Sequence, residues 1–237
     1  MNSNHLSDRL HAVASFIPKG STMADIGSDH AYLPCFVVKQ GIVQKAIAGE
    51  VVEGPFLSAK KQVEEDQLSD FIDVRKGNGL AVMEPGEVDV ITIAGMGGPL
   101  IAQILEDGKN KLPGVKRLIL QPNINAISIR DWLVPNEWKV IDEQILMEDG
   151  KIYEIIVAEP ADQPITPYSP AERLLGPVLL NNRSNVFKEK WQQEYQQWER
   201  ILNELQEAGN IERIKEKKKE LEEKMTIVKE ALKWKNR

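Results

Sequence analysis

From Thr22 onward the chain alternates short apolar, β-rich runs with stretches of helical spacing, and this alternation narrows the fold more than any other feature. The runs TMADIG, KAIAGE, FIDVRKG, VDVITIAG and RLILQP are interleaved with HAYLPCFVVKQ, PFLSAKKQVEE, GPLIAQILED and AISIRDWLV. Strands that read as continuous apolar runs and are joined through helices belong to a parallel sheet covered on both faces, an α/β architecture. WKVIDEQILME and KIYEIIVAE then face each other across Asp149 and Gly150, a dipeptide suited to a tight hairpin, so the sheet is expected to end with an antiparallel strand. Ahead of the first run, LSDRLHAVASFI places Leu6, Leu10, Val13 and Ile17 at helical spacing, with Ser7 or Asn4 as cap, and predicts a lid helix laid on the domain.

A proline-rich polar segment, EPADQPITPYSP at residues 159–170, interrupts this pattern. Ser169, Pro170 and Glu172 then form the signature of a capping box with proline at the first helical position. Trp191, Tyr195, Trp198, Leu202 and Leu205 step by four and three, and Leu221, Met225, Val228 and Leu232 repeat the seam, with Gly209-Asn210 breaking the run between them. The expectation is an α/β domain over residues 1–160 and an antiparallel helical coiled-coil hairpin over 161–237. Trp191 and Trp198 belong to the hairpin's own core rather than to a base-stacking surface. The seam can close within one chain or between two, and a monomer is favoured over an obligate oligomer.

Composition excludes several classes. The single cysteine, Cys35, rules out a disulfide framework and a cysteine metal cluster, so no metal is expected and a reducing, cytoplasmic setting fits. No stretch approaches the roughly 18 apolar residues of a membrane span. Net charge is −6, yet residues 208–237 carry ten Lys and Arg against six Asp and Glu. A modestly basic tail on an acidic body leaves the partner open on charge alone.

The first turn, DIGSDHAYLP at residues 25–34, carries the chemistry. A dinucleotide turn needs G-x-G-x-x-G so that its backbone approaches a pyrophosphate at the helix N-terminus. Here Asp29 and Tyr32 occupy the later glycine positions, and an anionic Asp29 would repel phosphate. A cationic or amphoteric nucleoside, S-adenosylmethionine, fits better, with Asp25, Gly27 and Asp29 at the turn. Glu50, ending the second strand, is placed to accept from ribose hydroxyls. Gly77, Asn78 and Gly79 follow the third strand and offer an amide to the adenine edge. AGMGG at 94–98 is too poor in side chains for ordinary packing, which suggests backbone at Ala94, Gly95, Met96 and Gly97 passing close to a ligand. Gln121 and Asn123, in QPN, bring polar groups to the same rim. Asp29 could instead serve as a helix-start acid, Gly77 and Gly79 as plain turn residues, and Asn123 as a cap near Asn125; His30 reads as a packed first-turn residue.

Together DIGSDHAYLP, AGEVVEGP, GNGL, ITIAGMGG, LQPN and the DGKIYEI strand resemble the bacterial tRNA (adenine(22)-N1)-methyltransferases over nearly the whole chain. The resemblance implies a class I, Rossmann-like methyltransferase sheet, mostly parallel with its last strand antiparallel, and a helical coiled-coil C-terminal domain. It also implies S-adenosylmethionine as methyl donor and the N1 atom of a D-loop adenine in tRNA as acceptor. The acceptor edge must be unpaired or flipped into a pocket, and N1 attack makes a cationic adenine. Asp29 is the expected catalytic group, with Gln121 or Asn123 orienting the base. Arg9 and His11 on the first helix, and Lys215, Lys217, Lys218 and Lys219 in the tail, are expected to hold phosphates. Two rival readings remain at this point: a NAD-dependent oxidoreductase, and a non-catalytic RNA-binding or scaffold protein.

Overall fold

A computed structural model of the protein describes residues 2–207 and 212–233. The chain divides into two compact units, Met1–Thr166 and Pro167–Arg237. In the first unit α1 (Asp8–Ser15) precedes β1 (Ser21–Ile26), α2 (Tyr32–Lys39), β2 (Val43–Glu50), α3 (Glu53–Glu65) and β3 (Ile72–Lys76). There follow β4 (Val90–Gly97), α4 (Gly98–Asp107), β5 (Arg117–Ile124), α5 (Ala126–Leu133), β6 (Trp138–Glu148) and β7 (Lys151–Pro160).

The seven strands form one sheet in the order β3-β2-β1-β4-β5-β7-β6. The first five pair in parallel, while β7 runs antiparallel between β5 and β6. Strand order therefore reverses between β1 and β4, the position at which doubly wound sheets hold ligands beyond the carboxyl ends of their strands. The apolar runs are buried as their pattern requires: Val90, Ile91, Ile93, Leu118, Ile119 and Leu120 are all fully buried. Each such side chain contributes about 1.5–3 kcal/mol relative to exposure. The β6–β7 turn places Asp149 at φ 49° and Gly150 at φ 73°, the two positive values that a tight hairpin of this hand demands.

The lid helix is present. The Leu10 amide donates to Ser7 Oγ at 3.3 Å, so Ser7 rather than Asn4 is the cap. The helix buries Ala12, Val13 and Ala14 and packs on β6, β7 and α2. On the other side of the unit, Arg130 of α5 is fully buried and donates to Glu143 of β6 at 2.8 Å and to Glu154 of β7 at 3.0 Å. That charged cluster ties α5 to the antiparallel pair.

The second unit contains α6 (Pro170–Leu175), α7 (Pro177–Asn182), α8 (Asn185–Glu207) and α9 (Glu212–Lys233). Ser169 and Glu172 cap α6 reciprocally, as their spacing predicts. α8 packs on α9, with Trp191, Leu221 and Val228 buried and Tyr195, Trp198, Leu202, Leu205, Met225 and Leu232 half-buried. The rings of Trp191 and Trp198 lie 6.2 Å apart, as hairpin-core aromatics should. The expected break at Gly209 and Asn210 lies outside the described residues. Among the described residues no helix is long and apolar enough to cross a membrane.

Candidate active site

At the switch point a cavity of about 270 Å³ opens beyond the ends of β1 and β4. Asp25, Gly27, Asp29, Ala94, Gly95 and Met96 line it, joined by Arg9 of the lid helix. Gly27 has φ 72°, and a Cβ built there would lie 2.2 Å from Met96 Cε, so glycine avoids both the left-handed strain and a displacement of Met96 as the chain leaves β1. Two residues later Asp29 and Ala31 adopt φ 52° and 54°, left-handed values that cost about 1–2 kcal/mol each away from glycine. The turn is therefore strained, and it is held from outside by Glu50, whose Oε1 accepts from the Asp29 amide. The other Glu50 oxygen has no hydrogen-bond partner among the described residues.

Asp25 is 5% exposed and has both carboxylate oxygens engaged. Thr92 Oγ1 donates to one at 2.6 Å and Ser28 Oγ to the other at 2.8 Å. Burial pushes its carboxyl above the usual range against the pull of these hydroxyls and of the Arg9 charge. Burial likewise raises Glu50, with the Asp29 amide opposing and the neighbouring Asp29 and Asp25 charges adding to the rise. Asp25 and Asp29 line the cavity, and Glu50, bound to the Asp29 amide, completes a group of three carboxylates, two of them buried and one, Asp29, with a largely exposed side chain.

Below the cavity, Gln121 is fully buried and holds the Gly95 turn in place. Its Oε1 accepts from the Gly95 amide at 3.0 Å and from Arg9 Nη1 at 2.5 Å, while its Nε2 donates to the Pro122 carbonyl at 2.9 Å. Asn123 Nδ2 donates to the Gly95 carbonyl at 2.8 Å. Asn123 is not a helix cap: the N-cap position of α5 is Asn125, which is left-handed and makes no side-chain cap bond. Arg9 also lies over the Tyr153 ring, 5.4 Å from its centroid.

The remaining residues singled out in the sequence fall elsewhere. Asn78 and Gly79 line a separate hollow of about 250 Å³ with Leu80 and Ile104. Gly77 lines neither hollow; its amide donates to the Glu50 carbonyl at 2.8 Å. Gly97 precedes α4 and does not line the cavity. His11 is exposed, its ring edge-on to Phe36 at 6.0 Å. His30 is exposed rather than packed: it stacks on Tyr32 at 5.1 Å with Nε2 3.7 Å from Asp29 Oδ1. Lys215, Lys217 and Lys219 are exposed and Lys218 half-buried on α9, with Lys217 paired to Glu220 at 2.8 Å.

Thr92 and Ser28 escaped the sequence reading, which named Tyr32 in the turn and Leu10 on the first helix without giving either a place in the site. Thr92 had a signal: a hydroxyl between Ile91 and Ile93 in a buried strand must find an internal partner, and Asp25 is that partner.

A doubly wound sheet with one antiparallel strand set inside its edge, and an acidic rim at its switch point, defines a Rossmann-like methyltransferase domain. Comparison with known proteins agrees. The family model TrmK, tRNA (adenine(22)-N(1))-methyltransferase, matches residues 23–230. The tRNA (adenine(22)-N(1))-methyltransferase of Bacillus subtilis is 52% identical over 236 residues, 98% of this chain and 99% of that one. The crystal structure of the B. subtilis enzyme superposes with a TM-score of 0.90 at 51% identity, covering 96% of this chain and 99% of that one. A Streptococcus pneumoniae structure in complex with S-adenosyl-L-methionine gives 0.86 at 45% identity, covering 96% and 100%. The chain belongs to the tRNA (adenine(22)-N(1))-methyltransferase family.

Proposed function

We propose that this protein transfers a methyl group from S-adenosylmethionine to N1 of adenine 22 in tRNA, as a cytoplasmic enzyme. The observation that carries the reading is the acidic switch-point cavity, which suits a cationic nucleoside and repels a pyrophosphate. That chemistry, with membership of the family, sets aside both the NAD-dependent and the non-catalytic alternatives.

S-adenosylmethionine, when bound, supplies an electrophilic methyl group on a sulfonium centre. Its residues of contact would be Asp25, Gly27 and Asp29 at the first turn and Ala94, Gly95 and Met96 at the fourth strand, with Gly97 outside the cavity. Glu50 would accept from the ribose hydroxyls through its open oxygen, and Gly77, Asn78 and Gly79 would border the adenine. The buried carboxylates Asp25 and Glu50 are oriented by hydroxyls and by a backbone amide, so they need no rearrangement to face positive charge.

Adenine N1 attacks through its own lone pair, so the chain's task is to place it rather than to remove a proton. Positive charge then develops on the adenine ring. Asp29, exposed at the cavity mouth, is the group proposed to stabilise it, with Asn123 orienting the base. Gln121 acts as a positioning residue, because its amide is committed to Arg9, Gly95 and Pro122. Arg9 and His11, with Lys215, Lys217, Lys218 and Lys219 on α9, would hold phosphates of the tRNA.

Calorimetric titration with S-adenosylhomocysteine and with NADH tests the cavity assignment. Saturable binding of the first and none of the second is expected; the reverse would overturn it.

A further inference from the structure

Two large aliphatic side chains stand in solvent beside the glycine turn. Ile124, at the end of β5, is 66% exposed, and Leu100, in the first turn of α4, is 53% exposed. The parallel-sheet core does not reach them: Leu118, Ile119, Leu120 and Gln121 of β5 are fully buried, whereas the strand end at Asn123 and Ile124 is exposed. The location of Ile124 is closely defined, and Leu100 follows Gly97 by three residues at the start of α4. Gly97 pairs with Ile124 across the β4–β5 register, and a Cβ at Gly97 would lie 3.8 Å from the Ile124 side chain. A Cβ at Gly98 would lie 2.0 Å from the Asn125 carbonyl, so the start of α4 is pressed against the backbone that carries Ile124. The same loop carries Gly95 and Met96 into the wall of the cavity.

We infer that Ile124 and Leu100 form an apolar wedge that enters the base stack next to the target adenine and keeps that adenine turned out toward the cavity. The inference rests on the methyl-transfer reading above. N1 lies on the pairing edge, so the target must leave its stack, which costs a few kcal/mol per step. An aliphatic side chain that takes the vacated place offsets this cost by covering exposed base faces, and it loses water from its own surface in doing so. A polar or charged side chain at either position could not do this, whereas the neighbouring acidic residues face the methyl donor. Glycine at Gly98 is required by the chain itself, because an added carbon would meet the Asn125 carbonyl, and this close approach fixes the start of α4 beside Ile124.

The test uses the full-length protein, S-adenosylhomocysteine, and a tRNA carrying 2-aminopurine in place of the target adenine. Stacked 2-aminopurine is dark and brightens when it leaves the stack. The unaltered protein should bind this tRNA with a rise in fluorescence. Ile124→Ser and Leu100→Ser should bind S-adenosylhomocysteine and melt as the unaltered protein does, yet lose at least about half of the rise. Their single-turnover methyl transfer at saturating tRNA should fall by roughly ten-fold or more, and Ile124→Leu should restore both. Should Ile124→Ser fold poorly, Ile124→Thr keeps the β-branched shape and carries the same comparison. Variants that retain the full rise and the full rate would overturn the wedge. Absence of methyl transfer by the unaltered protein would instead overturn the reaction, so the two failures are distinguishable.

Discussion

Arg9 and Gln121, separated by 112 positions in the chain, are joined by a 2.5 Å hydrogen bond from the guanidinium to the amide oxygen. The same oxygen accepts from Gly95, so the lid helix and the glycine turn share one buried anchor. Gln121→Leu, which keeps the volume and removes the acceptor, should strand the Gly95 amide and cost about 1–3 kcal/mol of stability. It should also weaken S-adenosylhomocysteine binding, because Gly95 lines the cavity. Denaturant unfolding and calorimetry check both effects; a variant within about 0.5 kcal/mol of the parent in each would show the anchor to be dispensable.

Asp29 offers a clean separation of charge from shape. Its backbone is left-handed at φ 52°, a conformation that asparagine tolerates as well as aspartate, so Asp29→Asn removes the charge without adding strain. If the carboxylate stabilises the developing adenine cation, the saturated single-turnover rate should fall about ten-fold or more, equivalent to roughly 1.4 kcal/mol. If it only holds the methyl donor, affinity falls and the saturated rate recovers. A helix-start role is disfavoured by position, since α2 begins beyond Ala31 and has no acid in its first turn. An unchanged saturated rate would remove Asp29 from catalysis.

Binding of the methyl donor should depend on pH with a defined sign. Asp25 and Glu50 are both raised, chiefly by burial. Their protons are therefore held more tightly in the folded chain than in the unfolded one. The stability they contribute is present below the ordinary carboxylate pKa and is lost as pH rises through their folded values. A cationic ligand prefers the ionised carboxylates, so its affinity moves the opposite way and rises with pH across the same interval. The rise should be at most about ten-fold per pH unit for each group that titrates, then level off. Glu50→Gln should remove part of this dependence. Affinity for S-adenosylmethionine that is flat, or that falls with rising pH across this range, would contradict the electrostatic account.

Gly27→Ala and Gly98→Ala should differ in how they fail. At Gly27 the added carbon meets the end of the flexible Met96 side chain, which can move, but the positive φ adds strain of about 1–2 kcal/mol. Because Met96 lines the cavity, its displacement should lower donor affinity. At Gly98 the added carbon meets the Asn125 carbonyl, which cannot move without shifting β5. Gly98→Ala should therefore lose stability by overpacking, about 1–3 kcal/mol or more, and lower the melting temperature. Normal melting of Gly98→Ala would mean that α4 is not pressed against β5 as described.

Much of the fold is legible in the sequence because its signals are local. A parallel strand buried on both faces must be apolar throughout, as at Ile91, Ile93 and Leu118, and a tight hairpin must have positive φ at both turn residues, as at Asp149 and Gly150. The insertion of β7 between β5 and β6 has no local signature, since it depends on pairings such as Leu120 with Ile156. The same limit applies to the site. Residues adjacent in sequence, Asp25, Gly27 and Asp29, were visible as a group. The hydroxyl of Thr92 that orients Asp25, and the grip of Gln121 on Arg9, arise from distant segments and are visible only once the strands are laid side by side. Gln121 reads as a rim residue because the sequence places it at a strand end, yet β5 continues to Ile124 and the Gln121 side chain is buried.

The central claim is that this cavity serves transfer of a methyl group to N1 of adenine 22. Its most direct test incubates the protein with methyl-labelled S-adenosylmethionine and an unmodified tRNA transcript, then locates the product by mass spectrometry of nuclease fragments and by reverse-transcription arrest. The account predicts one 1-methyladenine, at position 22, and none in a transcript with guanine there. No incorporation, or label at another base or on the ring at another nitrogen, would contradict it.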